Sequence, residues 1–532
     1  MSFTINDSNQ LSFNDSTSNL TERELRFLEK SWAKPFAEDI FPAINEDDFA
    51  ILYSENSASR PNSPVNVTVG SMILKELLGM SDEELMESMM FDVRFQYALH
   101  TTSFKEQPIS DRTLSRFREK CIKYEAETGI DLIKNCITGL SGNIAKLMGI
   151  TPGLKRMDSM MVASNIKRLS RLELIYTCVA NMVKHIQKTG GPIPSGMEHY
   201  CEDSDRNRVI YHTRSEDIDQ RVKSVLYDAA ILLSSFKGSH GESEEYNLLA
   251  RVIGEQALKN KDGSFALKEK GDPAIDSAIL QNPADPDATY RYKSGKGHRG
   301  YVANLVEDVG DGKSVITGYD YQQNTYSDTE FLKDTVETLA KQEEALTVVA
   351  DGAFGGEENV ALAKENNITL VTTNLQGRKP NDVYADFEFS GDGKELLQCA
   401  GGQAPVTNSY DAKTGRCYAT FDRAWCDGCP FKEQCRPKFY KTKTALTLSW
   451  KTTQRAKQLR YMETEEFKSL AKIRNGVESL PSILRRKHHV DDMPVRGIMK
   501  TKLLFGFKVA AVNFKKLIDY KSNLALSAGL LC

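Results

Sequence analysis

Three acidic residues stand in settings that could do chemistry. Asp351 follows the apolar run Leu346-Thr-Val-Val-Ala350 and precedes Gly352, Gly355 and Gly356. A short apolar run with β-branched residues reads as a buried strand, and the glycines as the turn that ends it. A carboxylate at the carboxyl end of a strand lies where open α/β sheets place their ligands. The alternative is an Asp that caps the helix expected over residues 357–365. Asp158 sits in a second strand-like run, Leu154-Lys-Arg-Met-Asp-Ser-Met-Met-Val162. Glu478 ends a stretch in which Phe467, Leu470, Ile473 or Arg474, and Val477 recur at helical spacing. Three convergent carboxylates can hold two hard divalent ions, Mg2+ or Mn2+, which take oxygen ligands. Two such ions clamp the attacking and leaving oxygens of a phosphodiester.

The cations near these acids suggest a polyanionic partner. From Phe431 to Tyr520 there are 21 Lys and Arg against 8 Asp and Glu, a balance of +13. The whole chain carries −4, so the remaining residues carry −4 − 13 = −17. A basic block on an acidic body points to nucleic acid, with a solvated helix surface as the alternative. Arg485, Arg486, Lys487, Arg496 and Lys500 follow Glu478 closely, and Arg474 lies one helical turn before it. Arg378 and Lys379 are loop candidates for phosphate contacts. Near the N-terminus, Arg112, Arg116 and Arg118 fall in the first turns of a helix opened by Ser110.

Cys426-Asp-Gly-Cys429 is a Cys-x2-Cys pair, and Cys435 follows six residues later. Such a pair fits one side of a tetrahedral Zn2+ site, which two further thiolates complete. The set chosen is Cys399, Cys426, Cys429 and Cys435, with Cys417 as the substitute fourth ligand. A redox pair and a set of plain thiols are the rivals, but no thioredoxin-like helix follows the motif.

The elements that must position these residues fall in order along the chain. Residues 1–20 are rich in Ser, Asn, Asp and Thr and are expected to be disordered. Residues 21–150 read as a helical, DNA-binding domain, with Thr21-Glu-Arg-Glu24 and Ser81-Asp-Glu-Glu84 as capping boxes. Residues 151–532 read as a mixed α/β core with two insertions. The first, at about 168–290, is helical. The second, at about 380–450, is strand-rich, with Val383–Phe389 and Arg416–Phe421 alternating as half-buried strands do. Gly310-Asp-Gly312 marks a hairpin turn. The 532 residues suffice for about three domains. No run approaches the ~20 apolar residues of a membrane helix, and no signal peptide is evident. A cytosolic location is expected, where cysteines are thiols or metal ligands rather than disulfides.

Strand acid, strand acid, helix acid is the order seen in nucleases and transposases with an RNase H-like core. With Leu52-Tyr-Ser54, Arg60-Pro61, Arg94-Phe-Gln-Tyr-Ala98, Thr113-Leu-Ser-Arg-Phe-Arg118, Met157-Asp-Ser159, Ser164-Asn-Ile-Lys167, Asp285-Pro-Asp287, Ala350-Asp-Gly352, Thr373-Asn-Leu-Gln-Gly-Arg378, Arg474-x3-Glu478 and Ala510-Ala-Val-Asn-Phe-Lys-Lys-Leu517, the chain resembles bacterial insertion-sequence DDE transposases over nearly its whole length. The resemblance implies an RNase H-like sheet flanked by helices. It implies metal-dependent cleavage at transposon ends and strand transfer into target DNA, with Asp158, Asp351 and Glu478 as the acids and double-stranded DNA as partner. It further implies a homodimer or higher oligomer on DNA, associated with the bacterial nucleoid.

Two departures stand out. Ala471 and Arg485 occupy places where relatives often carry Tyr and Lys, and Pro481 lies just beyond Glu478, where it would kink a continuous helix. A structure-specific nuclease without strand transfer and an inactive DNA-binding derivative are the alternatives.

Overall fold

The computed structural model describes residues 1–6, 17–56, 58–101, 108–210, 217–261, 263–269, 271–273, 275–293, 295–340, 345–373 and 379–527. The chain divides into two compact units. The first comprises Met1–Pro152, Asp158–Phe331 and Ser479–Cys532; the second comprises Gly153–Met157 and Leu332–Glu478.

The N-terminal part of the first unit is helical. Its main elements are α1 (Glu22–Lys30), α2 (Val65–Leu78), α3 (Asp82–Phe91), α4 (Asp111–Thr128) and α5 (Leu132–Leu147). Thr21, Ser81 and Ser110 each close a capping box, satisfying backbone donors that the first helical turn leaves orphaned. The expectation of a disordered tail fails for residues 1–6. Ser2 is buried, donates its N–H to the Arg60 carbonyl at 3.0 Å and accepts from the Asn62 N–H at 3.0 Å. Polar composition misled here because the segment gains order by bridging residues 54–62 rather than by apolar burial. The middle of the tail, 7–16, lies outside the described residues.

Strand β1 (Leu154–Ala163) carries Asp158 and is divided between the units. The helical insertion, α6 (Arg171–Lys188), α7 (Ile218–Ser235) and α8 (Glu244–Gln256), closes over a core of its own that includes Val179, Val183, Leu226, Leu249 and Val252. Strands β2 (Thr289–Lys293), β3 (Lys296–Gly310) and β4 (Lys313–Gln323) follow as an antiparallel set. The predicted hairpin forms between β3 and β4, where Asp311 and Gly312 both take positive φ. Within the first unit β1 lies beside β3.

Helix α9 (Asp328–Leu339) leads into the second unit, with β5 (Leu346–Ala350), α10 (Glu357–Glu365) and β6 (Ile368–Thr372). Leu154, Lys155 and Arg156 pair in parallel with Thr347, Val348 and Val349, and β5 pairs in parallel with β6. Parallel pairing beside antiparallel pairing makes this the expected mixed α/β class.

The strand-rich insertion is a four-stranded sheet ordered β7 (Thr407–Asp411), β8 (Arg416–Asp422), β10 (Lys443–Leu448), β9 (Lys438–Phe439). One expected strand is not there. Asp382–Asp386 is a 3-10 turn, and only Glu388–Phe389 is extended. The alternation was real, since Val383, Ala385 and Phe387 are buried. The Arg460 guanidinium, however, grips both Asp382 and Asp386, at 2.9 Å and 2.5 Å, and holds the backbone curled.

Helices α11 (Trp450–Tyr461) and α12 (Glu465–Asn475) close the second unit, Phe467 packing with Val349 and Val371. Helices α13 (Ser479–His488) and α14 (Ile498–Ser527) return to the first. α14 packs on α2, α5 and β4. The buried Asn513 amide accepts from the Ile316 N–H at 2.9 Å and donates to the Ile316 carbonyl at 2.7 Å. A side chain thus satisfies backbone groups of β4 that no strand pairs.

Candidate active site and DNA-contact residues

Asp351 sits at the carboxyl end of β5. Its Oδ1 accepts from the Gly352 N–H at 2.7 Å and caps the 3-10 turn Gly352–Phe354. The capping alternative therefore holds for that turn, while helix α10 has Gly356 at its N-cap. Asp158 is half-buried on β1, and its Oδ1 accepts from the Ser159 N–H at 2.9 Å. The Ser159 hydroxyl donates to Asp328 at 2.6 Å. Arg156 and Val349 are a paired couple of the β1–β5 register, and each acid follows its own strand's member of that couple by two residues.

Glu478 is not inside a long helix. α12 ends at Asn475, Gly476–Glu478 is a 3-10 turn, and α13 begins at Ser479. Pro481 therefore falls in the first turn of a new helix, where its missing N–H has no intrahelical partner to lose. In place of a kink within one helix, a 3-10 turn joins two helices, and Glu478 on it is exposed. Its carboxylate is paired with the nearly buried Arg474 one turn earlier.

Sequence reasoning missed Arg156, which donates to the Ile473 carbonyl at 2.8 Å and so holds the end of α12 against β1. The available signal was an arginine within a strand-like run, two residues before an acid; its burial became visible only in the structure.

The cations separate into two groups. Arg118 makes a two-pronged bond to Asp82 at 2.7 and 2.8 Å. With Lys75 it holds the Asp82 carboxyl well below the usual carboxylate range. Arg485 bonds the Met161 carbonyl at 2.7 Å and Asp491 at 3.0 Å, and Arg496 bonds the Asn165 carbonyl at 2.7 Å. These three are occupied inside the protein. Among the described residues, Arg112, Arg116, Lys379, Arg486, Lys487 and Lys500 are exposed and make no ion pair. Arg378 lies outside the described residues.

The cysteines separate too. A Cβ on Gly401 would meet Cys429 Sγ at 3.3 Å and Cys399 Sγ at 3.7 Å, so that glycine keeps open the space between two sulfurs. Burial, and then the neighbouring Cys429, Cys399 and Cys426, push the Cys435 thiol up to about 12. The Thr444 hydroxyl donates to Cys426 Sγ at 3.0 Å. Cys417 is buried in the core against which Cys399, Cys426 and Cys435 pack, and its Sγ donates to Asn408 at 3.0 Å. Among the described residues, no three His, Cys, Asp or Glu side chains are drawn together as they are around a metal ion. The four thiols are electrostatic neighbours rather than a closed ligand set.

Residues 398–518 match the family described as Transposase DDE domain, and residues 27–120 match Transposase domain (DUF772). Two parts of the chain are thus similar to transposase domains. The DDE-domain match spans Glu478, the basic block and all five cysteines considered above; the N-terminal match spans Arg112, Arg116 and Arg118. No curated protein matches the chain. Among solved structures, the cryo-EM structure of a piggyBac transposase synaptic complex with hairpin DNA matches at 11% identity, covering 96% of this chain and 77% of that one, with a TM-score of 0.27. No described helix is long and apolar enough to cross a membrane.

Proposed function

We propose that this DNA transposase cuts phosphodiester bonds at the ends of its element and joins the freed 3′-OH to target DNA, with Asp158, Asp351 and Glu478 as its metal-holding acids. The observation that carries the reading is the match of a DDE domain across Glu478; Asp351, directly after β5, and Asp158, on β1, are the two further acids in strand settings. The donor set suits hard ions, because all three side chains offer carboxylate oxygens. Mg2+ or Mn2+, when bound, would supply charge stabilisation at the attacking and leaving oxygens.

The chain's own residues do the rest. Asp351 Oδ1 caps its turn, and Oδ2 would be its metal-facing oxygen. Arg474 neutralises Glu478 and would pass to a DNA phosphate once that carboxylate is engaged elsewhere. In the first step water adds to phosphorus and the bond to the 3′ oxygen breaks, leaving a 3′-OH and a 5′-phosphate. In the second, that 3′-OH adds to a target phosphorus, and the target's own 3′ oxygen leaves. Each step exchanges one P–O bond for another.

A structural Zn2+ on Cys399, Cys426, Cys429 and Cys435 belongs to the same reading, supported by the Gly401 cradle and by the separate bonding of Cys417. DNA would be bound by an oligomer of the chain at the nucleoid. The test is an assay of purified protein with Mg2+, an element end and a target plasmid. Joined product supports the reading; cleavage without joining replaces it with a nuclease.

A further inference from the structure

We propose that Arg60, Arg112 and Arg116 line one pocket of the N-terminal domain that holds a backbone phosphate of duplex DNA. The inference rests on the transposase reading and adds a contact residue, Arg60, that neither spacing nor periodicity singled out. The three arginines line a cavity of about 450 Å3, with Asn62, Ser110 and Thr113 among the other polar lining residues. Among the described residues, no Asp or Glu lines it.

That charge arrangement is costly without a ligand. Arg112 and Arg116 are four residues apart on α4, where like charges repel by a few tenths of a kcal/mol. Arg60, a third cation of the same lining, adds to the repulsion. Other cations in the same domain have partners: Arg118 and Lys75 share Asp82, and Lys120 lies over the Tyr53 ring. An anion between the three arginines turns the repulsion into attraction, and the planar fork of arginine fits phosphate oxygens in pairs.

The pocket is also fixed in shape. The carbonyls of Ser59 and Arg60 accept from the Ser2 hydroxyl and N–H, at 2.9 and 3.0 Å. Thr4 N–H donates to Asn62 Oδ1 at 2.6 Å. The Ser110 capping box sets the start of α4. Among the described residues the lining carries no aromatic ring on which a base could stack. The ligand this leaves is the sugar-phosphate backbone, which positions a duplex without reading its sequence.

The experiment measures binding of the full chain to a random-sequence duplex over a salt series. Removing one cation that neutralises a phosphate should reduce the log–log salt slope by about 0.9. Arg60→Ala should reduce it by about one such step, and the Arg60→Ala/Arg112→Ala/Arg116→Ala variant by two to three of those ~0.9 steps. A charge-matched control, Lys146→Ala/Lys188→Ala/Lys259→Ala, removes three exposed lysines that lie outside the pocket. It should leave the slope unchanged, and circular dichroism should show all variants folded. A parental slope in the arginine variant, or an equal reduction in the control, overturns the pocket. If the parent protein shows no salt-dependent binding to any duplex, the DNA-binding reading itself falls, and this inference with it.

Discussion

Arg156 Nη1 donates to the Ile473 carbonyl at 2.8 Å and occupies the space that a side chain at Gly476 would need. A Cβ at Gly476 would lie 2.0 Å from that nitrogen. The glycine is therefore demanded by close approach, since its backbone is ordinary right-handed helix. The contact ties the strand before Asp158 to the turn that carries Glu478.

Gly476→Ala should push the guanidinium off Ile473 and displace Glu478. The stability loss should be about 1 kcal/mol, the usual net value of one hydrogen bond. The activity loss should be larger, on the order of tenfold to a hundredfold in cleavage, because misplacing a catalytic group by about 1 Å costs that much. Thermal denaturation and a cleavage assay on the same preparation check both halves. A variant with parental cleavage would show that Glu478 is not positioned through this contact.

Asp351→Asn keeps an oxygen at the position that accepts from Gly352, so the turn should survive. The amide lacks the charge that a divalent ion requires. Cleavage in Mg2+ should fall below detection, while duplex affinity stays within about twofold, since binding is carried by Lys and Arg contacts to phosphates. Retained cleavage would remove Asp351 from the site.

Much of this was legible because strand and helix periods are written in residue type. The runs before Asp158 and Asp351 became strands, and the capping boxes at Thr21, Ser81 and Ser110 opened helices. What stayed hidden depends on contacts between segments distant in sequence. Val383–Phe389 alternates like a strand, but Arg460, far along the chain, bends it. Arg485 and Arg496 look like free cations until the Met161 and Asn165 carbonyls are seen to use them. Pro481 looked like damage because a helix was extended through residues where the chain restarts one. The separate bonding of Cys417 needed the fold, since both it and Cys399 lie upstream of the Cys-x2-Cys pair.

That separate bonding gives a metal prediction. Purified protein should contain about one zinc per chain, and Cys399→Ser, Cys429→Ser or Cys435→Ser should each lose it. Cys417→Ser should keep it, because a serine hydroxyl can still donate to Asn408. Chelation should destabilise the strand-rich insertion, as metal binding and folding are coupled in such sites. Elemental analysis of the four variants is the check. Zinc lost from Cys417→Ser and kept by Cys399→Ser would reverse the assignment.

The basic block should divide in function as it does in structure. Arg486, Lys487 and Lys500 are exposed without ion pairs among the described residues, so replacing all three with Ala should leave stability within about 0.5 kcal/mol. The same variant should weaken binding to specific and random duplexes alike and reduce the salt slope by about one unit for each phosphate no longer neutralised. Arg485 should behave in the opposite way. Its bonds to Met161 and Asp491 link the start of the last helical region to the strand bearing Asp158. Arg485→Ala should cost about 1–2 kcal/mol, because it leaves the Met161 carbonyl and a carboxylate without that donor. Its salt slope should match the parent's. Urea titration and salt-dependent anisotropy on both variants separate the roles. A parental slope in the Arg486, Lys487 and Lys500 variant would place that exposed cluster against solvent rather than DNA.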